Sequence, residues 1–518
     1  MVDVFLSQDT SSRSIGTQEV EKALREEQTR RSDFRLILTG SRGAFFLEPL
    51  IEVAVNSTRV GYANVHAGDV SNLLASGLLE GKPIQPSYIG AMSDIPFLRE
   101  QQRITFRNCG VIEMGSLDAY ISADGGVALR RALFELDSQA IIAEVKISGL
   151  RGRGGAAFPT GIKWQTVADC VADEKYVVAN GDEGDPGTYA DRMLMEGDPF
   201  ALLEGMAICA RVVGAHKGFI YIRAEYPRAR KAMQSAINTA RDAAYLGNDI
   251  LGSGFSFDIE VRSGGGAYVC GEETALLESL EGRRGMVRPK PPYPATQGLF
   301  GRPTVINNVT TLATIPAILR RGGEWYAATG TGRSRGTIAL QLAGSLCTPG
   351  LVEVPFGISL REVINTYGGG VPEGRHLLAV QVGGPLGDLM PDSRLDVPID
   401  FDAFTEVGSM LGHGGIVVYD DRTHPLQLAQ RLMAYVAHES CGKCAPCRLG
   451  SQRAAEILES MRTGGGQPGD LALIDDIAFA MRGSSLCALG SMAPTPVLSA
   501  IRLFPDSFQP GATIPFPG

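Results

Sequence analysis

An α/β protein of several domains is what this sequence predicts, on three observations. Its 518 residues, at about 100–200 residues per domain, make about three or four domains. Between positions 110 and 330, strand-like runs alternate with helical ones, the pattern of a parallel sheet covered by helices. The character then changes twice: residues 336–419 are short β-rich runs punctuated by Gly and Pro, and from Pro425 onward the pattern is helical. The expected units are 1–120, 121–332, 333–424 and 425–518.

The elements follow in order. Residues 17–31 are charged and helical in pattern, and 34–38 and 50–55 read as strands. Asp69 opens a capped helix start after the run 60–65. Strands and helices mixed over so short a stretch suggest a small α/β unit. Residues 82–108, with Pro83, Pro86 and Pro96, read as an extended linker. In the large unit, 176–179, 218–222 and 257–261 are strand-like, while 199–213 and 227–246 are helical. The last unit offers helices over 426–438, 448–461 and 471–481.

Composition excludes several classes. Hydrophobic residues are 44% and charged residues 20%, ordinary for globular material and poor for disorder. The net charge of −9 argues against nucleic acid, which needs a basic footprint. No run approaches the ~18 apolar residues of a membrane span, and residues 1–5 do not begin a secretory leader. A cytoplasmic protein without direct membrane insertion is expected. Glycine stands at 64 residues, about 12% against a typical ~7%. It is not periodic, so it points to loops that let backbone approach a ligand.

Three segments carry that glycine. The first, 149–164 (GLRGRGGAAFPTGIKW), can curl backbone N–H groups around a phosphate, with Arg153 and Lys163 adding charge. It closes with no Gly-Lys-Ser/Thr, so it is not a Walker A loop. The second, NGDEGDPG at 180–187, sets Asn180, Asp182, Glu183 and Asp185 directly after a strand, where open α/β sheets bind ligands. An acidic turn is the alternative, though EF-hand spacing is absent. The third runs from Gly264 through Tyr268, Gly271, Glu272 and Glu273 into a helix, then through Arg283, Arg284, Arg288 and Lys290 to Pro291-Pro292-Tyr293. A basic run before a rigid aromatic loop suits a phosphate and a stacked ring, or is simply a solvated charge run. Asn307-Asn308 can bind a heterocycle or cap a helix.

Nine cysteines in a chain expected to be cytoplasmic suggest metal rather than disulfides. Cys441, Cys444 and Cys447 form C-x2-C-x2-C, with Cys487 distant. Three thiolates on a tight turn and one from elsewhere fit a [4Fe–4S] cluster. Structural zinc usually takes two separated pairs; His438 is its only nearby histidine and lies in a helical pattern. The other five cysteines read as small buried hydrophobes.

Taken together, the glycine loop, NGDEGDPG, AYVCGEETALLESLEGRRGMVRPKPPYPA, PTVINNVTTL and ESCGKCAPC…SLC resemble the flavoprotein subunit of NADH dehydrogenases, with its relatives in soluble NAD-reducing hydrogenases and NAD-dependent formate dehydrogenases. The resemblance covers about residues 125–500. It implies a Rossmann-like domain for FMN and NAD(H), a ubiquitin-like β-grasp domain, and a C-terminal helical bundle with one [4Fe–4S] cluster. By matching motif, Gly152, Arg153, Gly154, Gly155 and Lys163 would hold the FMN phosphate side. Asn180, Asp182, Tyr268, Gly271, Glu272, Asn307 and Asn308 would contact FMN. Phe158, Glu183, Asp185, Glu273, Lys290 and Tyr293 would surround NAD(H), with Phe158 and Tyr293 stacking. Cys441, Cys444, Cys447 and Cys487 would bind the cluster. Glu183 and Asp185 would carry the catalytic tuning, their charge keeping the flavin potential near that of NAD.

Residues 34–74 also resemble the thioredoxin-like [2Fe–2S] domain that accompanies these enzymes, but Ser41 and Phe45-Phe46 stand where cysteines are expected, and no cysteine precedes Cys109. That domain is expected to keep its fold without a cluster. This N-terminal extension, and Asp185 before Pro186, place the resemblance in the soluble branch, nearest the β (diaphorase) subunit of a formate dehydrogenase. A hydrogenase diaphorase comes second and the complex I subunit third. The implied partners are a small [2Fe–2S] thioredoxin-like subunit and a catalytic molybdenum and iron–sulfur subunit.

Overall fold

The computed structural model describes residues 1–509. Its first sheet holds β1 (Val2–Ser7), β2 (Phe34–Thr39), β3 (Ile51–Val55), β4 (Thr58–Tyr62) and β5 (Tyr88–Ala91) in the order β2-β1-β3-β4-β5. β1 and β2 are parallel, joined through the helix Thr17–Gln28, and the remaining pairs are antiparallel. Val20 and Leu24 lie one turn apart on that helix and are buried against Val4, Leu6, Phe34 and Val53.

The segment 82–108 is not a linker. β5 lies within it, pairing with β4, and Phe97 on the short helix Pro96–Arg99 is buried in the core under the third sheet. The backbone N–H groups of Ile104, Thr105 and Phe106 all donate to the Glu353 carboxylate. Pro96 sits at the first turn of its helix, where a missing N–H costs nothing, so proline here marks a helix start rather than extended chain.

The second sheet is wholly parallel: β6 (Tyr176–Gly181), β7 (Lys217–Ile222), β8 (Asp258–Ser263) and β9 (Thr304–Asn308), ordered β8-β7-β6-β9. The chain builds outward from β6 through β7 to β8, then returns to the other side of β6 as β9. The helix Pro199–Val213 is buried on nearly every face, as its apolar sequence requires. Gly205 lets it meet the helix Val309–Arg321; a Cβ there would fall 2.0 Å from the Leu312 carbonyl oxygen.

A small hairpin, β10 (Gly330–Thr331) and β11 (Ser334–Arg335), leads to the third sheet. It contains β12 (Thr337–Gly344), β13 (Gly350–Pro355), β14 (Leu377–Val382), β15 (Leu389–Met390) and β16 (Gly415–Asp420), ordered β13-β12-β16-β14-β15. The first and last strands, β12 and β16, are parallel neighbours; the other pairs are antiparallel.

Helices Pro425–Glu439, Ala445–Arg462, Asp470–Ser484 and Pro494–Leu503 complete the described chain. Val436, Met481 and Leu489 from this helical part share one core with Val178, Phe219 and Ile306 of the parallel sheet. That shared core fixes the cysteine turn beside the sheet. Among the described residues, no helix is long and apolar enough to cross a membrane.

Candidate functional site

Asn180 at the end of β6 pairs in register with Asn308 at the end of β9, and Ala179 with Asn307. These are the carboxyl ends of the two strands where the sheet order reverses, the place where open parallel sheets form a ligand crevice. The glycine loop lies over it. Gly154 approaches so closely that a Cβ would sit 2.9 Å from that of Asn308. Gly155, at φ +103°, faces Gly412 of the loop before β16.

The acidic stretch folds into this crevice. Asn180 accepts from the Asp182 N–H and donates to the Gly271 carbonyl at 2.8 Å. Asp182 is buried, and its Oδ1 has no hydrogen-bond partner in the protein. Burial drives its carboxyl up to about 8 against the pull of Arg223, so at neutral pH it is an acid with a proton to donate. Gly184 and Gly271 leave room beside it: a Cβ at either would stand 3.2 or 3.3 Å from Asp182 Oδ2. Tyr268 donates its hydroxyl to Asp185 at 2.6 Å. Burial also raises the Asp185 carboxyl, with that hydrogen bond opposing.

Glu183 adopts φ +38°, an uncommon backbone for a residue with a Cβ, and turns its carboxylate inward. It accepts from the Asp191 and Arg192 N–H groups at 2.9 and 3.0 Å, satisfying two free donors at the start of the helix Ala190–Gly197. Asp191 in turn accepts from Asn308 Nδ2 at 2.6 Å and from Thr310. His413 reaches both carboxylates, with Nε2 3.4 Å from Glu183 Oε1 and from Asp191 Oδ2.

Around the rim, Glu272 caps the helix Glu273–Leu280 through Thr274 and Ala275. Lys290 Nζ lies 2.8 Å from Glu272 and 3.1 Å from Glu273. Phe158 and Tyr293 are 50% and 58% exposed, free to stack on a ligand.

Two groups expected at a phosphate point elsewhere. The Arg153 guanidinium is buried, donating to the Arg151 and Arg335 carbonyls and to Tyr326 Oη, and it stacks over Phe356. It pins the loop from behind, and the Gly152 and Arg153 N–H groups are likewise taken up within the protein, by the Phe158 carbonyl and Thr311 Oγ1. Lys163 Nζ donates to the Ile306 carbonyl and lies 3.8 Å from Glu273. Asn307 accepts from Trp164 Nε1 at 2.9 Å. Sequence reading missed Asp191 and His413. Asp191 lies outside the glycine-rich segments, and His413, though flanked by Gly412, Gly414 and Gly415, is brought to the site only by the packing of the third sheet.

Cys441, Cys444 and Cys447 lie in the turn before the helix Ala445–Arg462 and in its first turn, and Cys487 immediately precedes the helix Ala488–Met492. All four are free thiols. Gly490 brings the two pieces together; a Cβ there would lie 2.9 Å from that of Cys447. Burial raises Cys447, and the neighbouring Cys444 and Cys441 add to the effect. Burial likewise raises Cys487 to about 11, with Glu272 and Cys447 adding. Four thiols gathered at one turn, Cys487 among them beside Glu272, suit a cluster that takes thiolates at its corners, and loading it releases their protons. The crevice fits FMN on its own terms: a glycine cradle, an orphaned buried acid oxygen and two strand-end amides.

Residues 145–317 match the Nuo51 FMN-binding domain, and residues 427–511 match the NADH-ubiquinone oxidoreductase-F iron-sulfur binding region. The chain is 46% identical to the NADP-reducing hydrogenase subunit HndC of Solidesulfovibrio fructosivorans, over 79% of this chain and 84% of that one. It is 45% identical to one of the NADH-quinone oxidoreductase subunits of Rhizobium meliloti, over 78% of this chain and 96% of that one. An NAD+-reducing [NiFe]-hydrogenase structure superposes with a TM-score of 0.70 at 30% identity, covering 99% of this chain and 85% of the other. The chain belongs to the family of NADH-binding, FMN- and iron–sulfur-containing flavoprotein subunits, a class of NAD-dependent oxidoreductases. Its cofactors are FMN and a [4Fe–4S] cluster, and NAD(H) is its substrate.

Proposed function

We propose that this chain is the diaphorase subunit of a cytoplasmic formate dehydrogenase, passing electrons between NAD(H) and a [4Fe–4S] cluster through FMN. The observation that carries the diaphorase reading is the crevice at the paired ends of β6 and β9, roofed by the glycine loop and backed by the cysteine turn. Bound FMN supplies the conversion between a two-electron hydride donor and a one-electron cluster.

The chain's own groups do the rest. Backbone N–H groups of Gly154 and Gly155 receive the FMN phosphate side, while Gly152 and Arg153 spend theirs on the Phe158 carbonyl and Thr311 Oγ1 and so hold the loop's shape. Asn180, Asn307 and Asn308 fix the flavin end at the strand termini, while Tyr268, Gly271 and Glu272 close the opposite wall. Asp182 holds a proton at its buried carboxyl and offers it to a ligand acceptor. Phe158 and Tyr293 sandwich nicotinamide and adenine surfaces and exclude water. Lys290, held between Glu272 and Glu273, balances their charge where the NAD(H) pyrophosphate passes. Asp185, oriented by Tyr268, sets the negative field at the NAD(H) face. Cys441, Cys444, Cys447 and Cys487 hold the cluster.

Several observations support the domain reading. The third sheet has its first and last strands parallel at its centre, the order of a β-grasp unit. The first sheet opens β-α-β and continues with antiparallel strands, as a thioredoxin-like unit does. Ser41, where a cluster cysteine is expected, instead hydrogen-bonds Glu48 together with Ser7 and Ser12, which supports a fold kept without a cluster. Asp185 before Pro186 and the N-terminal thioredoxin-like unit favour the soluble branch over complex I, and within that branch formate is the proposed electron source, with a molybdenum and iron–sulfur catalytic subunit and a small [2Fe–2S] subunit as partners. A second reading, a hydrogenase diaphorase, is favoured by the hydrogenase structure that spans 99% of this chain.

Purification of the intact complex with metal analysis tests the choice. Molybdenum with formate-dependent NAD+ reduction is expected; nickel with hydrogen-dependent reduction would replace formate by the second reading.

A further inference from the structure

His413 lies in the turn before β16 and reaches across to two elements of the nucleotide-binding unit. Its Nδ1 is 2.7 Å from the Arg153 carbonyl oxygen. A carbonyl only accepts, so Nδ1 carries a proton. Its Nε2 faces Glu183 Oε1 and Asp191 Oδ2, each at 3.4 Å, and all three side chains are at least nine-tenths buried. A bare lone pair on Nε2 would confront two carboxylate oxygens with no donor between them. A second proton turns that repulsion into attraction.

We propose that His413 is a permanent imidazolium whose charge positions the glycine loop and Asn308 for the flavin. This rests on the flavin site described above. His413 is a positioning residue: it touches Arg153 O, Glu183 and Asp191, and it acts through the hydrogen bond from Asn308 to Asp191 and through the loop that continues into Gly154 and Gly155. The charged groups facing it are Asp191, Glu183 and Asp185; burial pulls the imidazole down, and these carboxylates overcome it, raising it to about 10. Glu183 is therefore one half of an internal ion pair rather than a free negative charge. A divalent cation is the competing occupant, because the three ligand atoms lie within 4.8 Å of one another. The donors already present argue against it: the Asp191 N–H takes Glu183 Oε1, and the Asn308 amide takes Asp191 Oδ2.

The test uses the full-length protein with 15N-labelled imidazoles. Across about pH 6 to about pH 9, a span around the ordinary histidine value of ~6.5, one of the six histidines should stay doubly protonated, and its signal should vanish in His413→Gln. In flavin-loaded protein, His413→Gln should lower the flavin midpoint at the alkaline end. The difference should shrink toward the acid end, as Asp191, whose carboxyl burial raises to about 6, takes up a proton in its place. His413→Lys, which restores a cation, should recover the wild-type midpoint. A neutral His413 within this span, a stoichiometric divalent ion whose chelation alters the His413 signal, or an unchanged midpoint in flavin-loaded His413→Gln would each overturn the proposal. A wild-type chain that takes up no FMN would instead overturn the flavin-site reading, and the imidazole spectrum would still decide the charge of His413.

Discussion

Tyr268 donates its hydroxyl proton to Asp185 Oδ1 at 2.6 Å, across 83 residues of sequence. The same residue donates its backbone N–H to Glu439 Oε2, at the end of the helix that leads to the cysteines. One tyrosine therefore ties the acidic stretch, the third glycine segment and the helical bundle together.

Tyr268→Phe leaves the buried Asp185 carboxyl without its hydroxyl donor. The expected loss is about 1–3 kcal/mol of stability, and the carboxyl should rise further, because the lost hydrogen bond was holding it down. Urea unfolding of the full chain measures the first effect. An unchanged unfolding midpoint contradicts it.

Glu48 is fully buried among Ser7, Ser12, Ser41 and the Leu50 N–H, and burial raises its carboxyl to about 7. Its proton is bound more tightly in the folded chain than in the unfolded one. The stability it lends is complete below the unfolded value of ~4 and disappears as pH rises through about 7. Glu48→Gln should therefore raise the melting temperature relative to wild type at alkaline pH, with the gain shrinking toward acid pH. A gain independent of pH excludes this ionisation as the cause.

Glu183→Gln removes a negative charge beside the flavin crevice while keeping an acceptor for one of the two helix N–H groups it caps. The flavin midpoint should shift upward, as the remaining imidazolium of His413 favours the reduced, more negative flavin. Potentiometric titration measures this, and a midpoint equal to wild type refutes it.

Lys290→Met leaves Glu272 and Glu273 without the ammonium that bridges them. The KM for NADH should rise about tenfold with little change in kcat, the signature of lost uniform binding. Steady-state kinetics with a dye acceptor distinguishes this from a loss confined to kcat.

Cys487→Ala removes the one proposed cluster ligand that comes from outside the C-x2-C-x2-C turn. Iron per chain should fall sharply while FMN remains bound, since none of the crevice groups is altered. Iron analysis beside acid-released flavin fluorescence checks both halves.

Local chemistry was legible in the sequence. The cysteine spacing, the strand-to-glycine transitions and the parallel alternation of 176–308 are short-range patterns; the helix Pro199–Val213 follows from its continuous apolar run, and Ala445–Arg462 from its apolar periodicity. What escaped depends on distant packing or on very short elements. β5 is four residues long and lies between prolines, so its pairing with β4 left little mark in composition. Arg153 looked like a phosphate ligand because it stands among glycines, yet Tyr326 and Arg335, more than 170 residues on, claim its guanidinium. His413 and Asp191 meet only because the third sheet docks on the parallel one.

The most direct test of the account is anaerobic addition of NADH to the reconstituted chain, followed in the visible spectrum and by electron paramagnetic resonance. The yellow flavin absorbance should bleach, and the signal of a reduced [4Fe–4S] cluster should appear when the flavin is reduced. Well-folded protein that holds both cofactors, yet whose flavin colour does not respond to NADH, would contradict it.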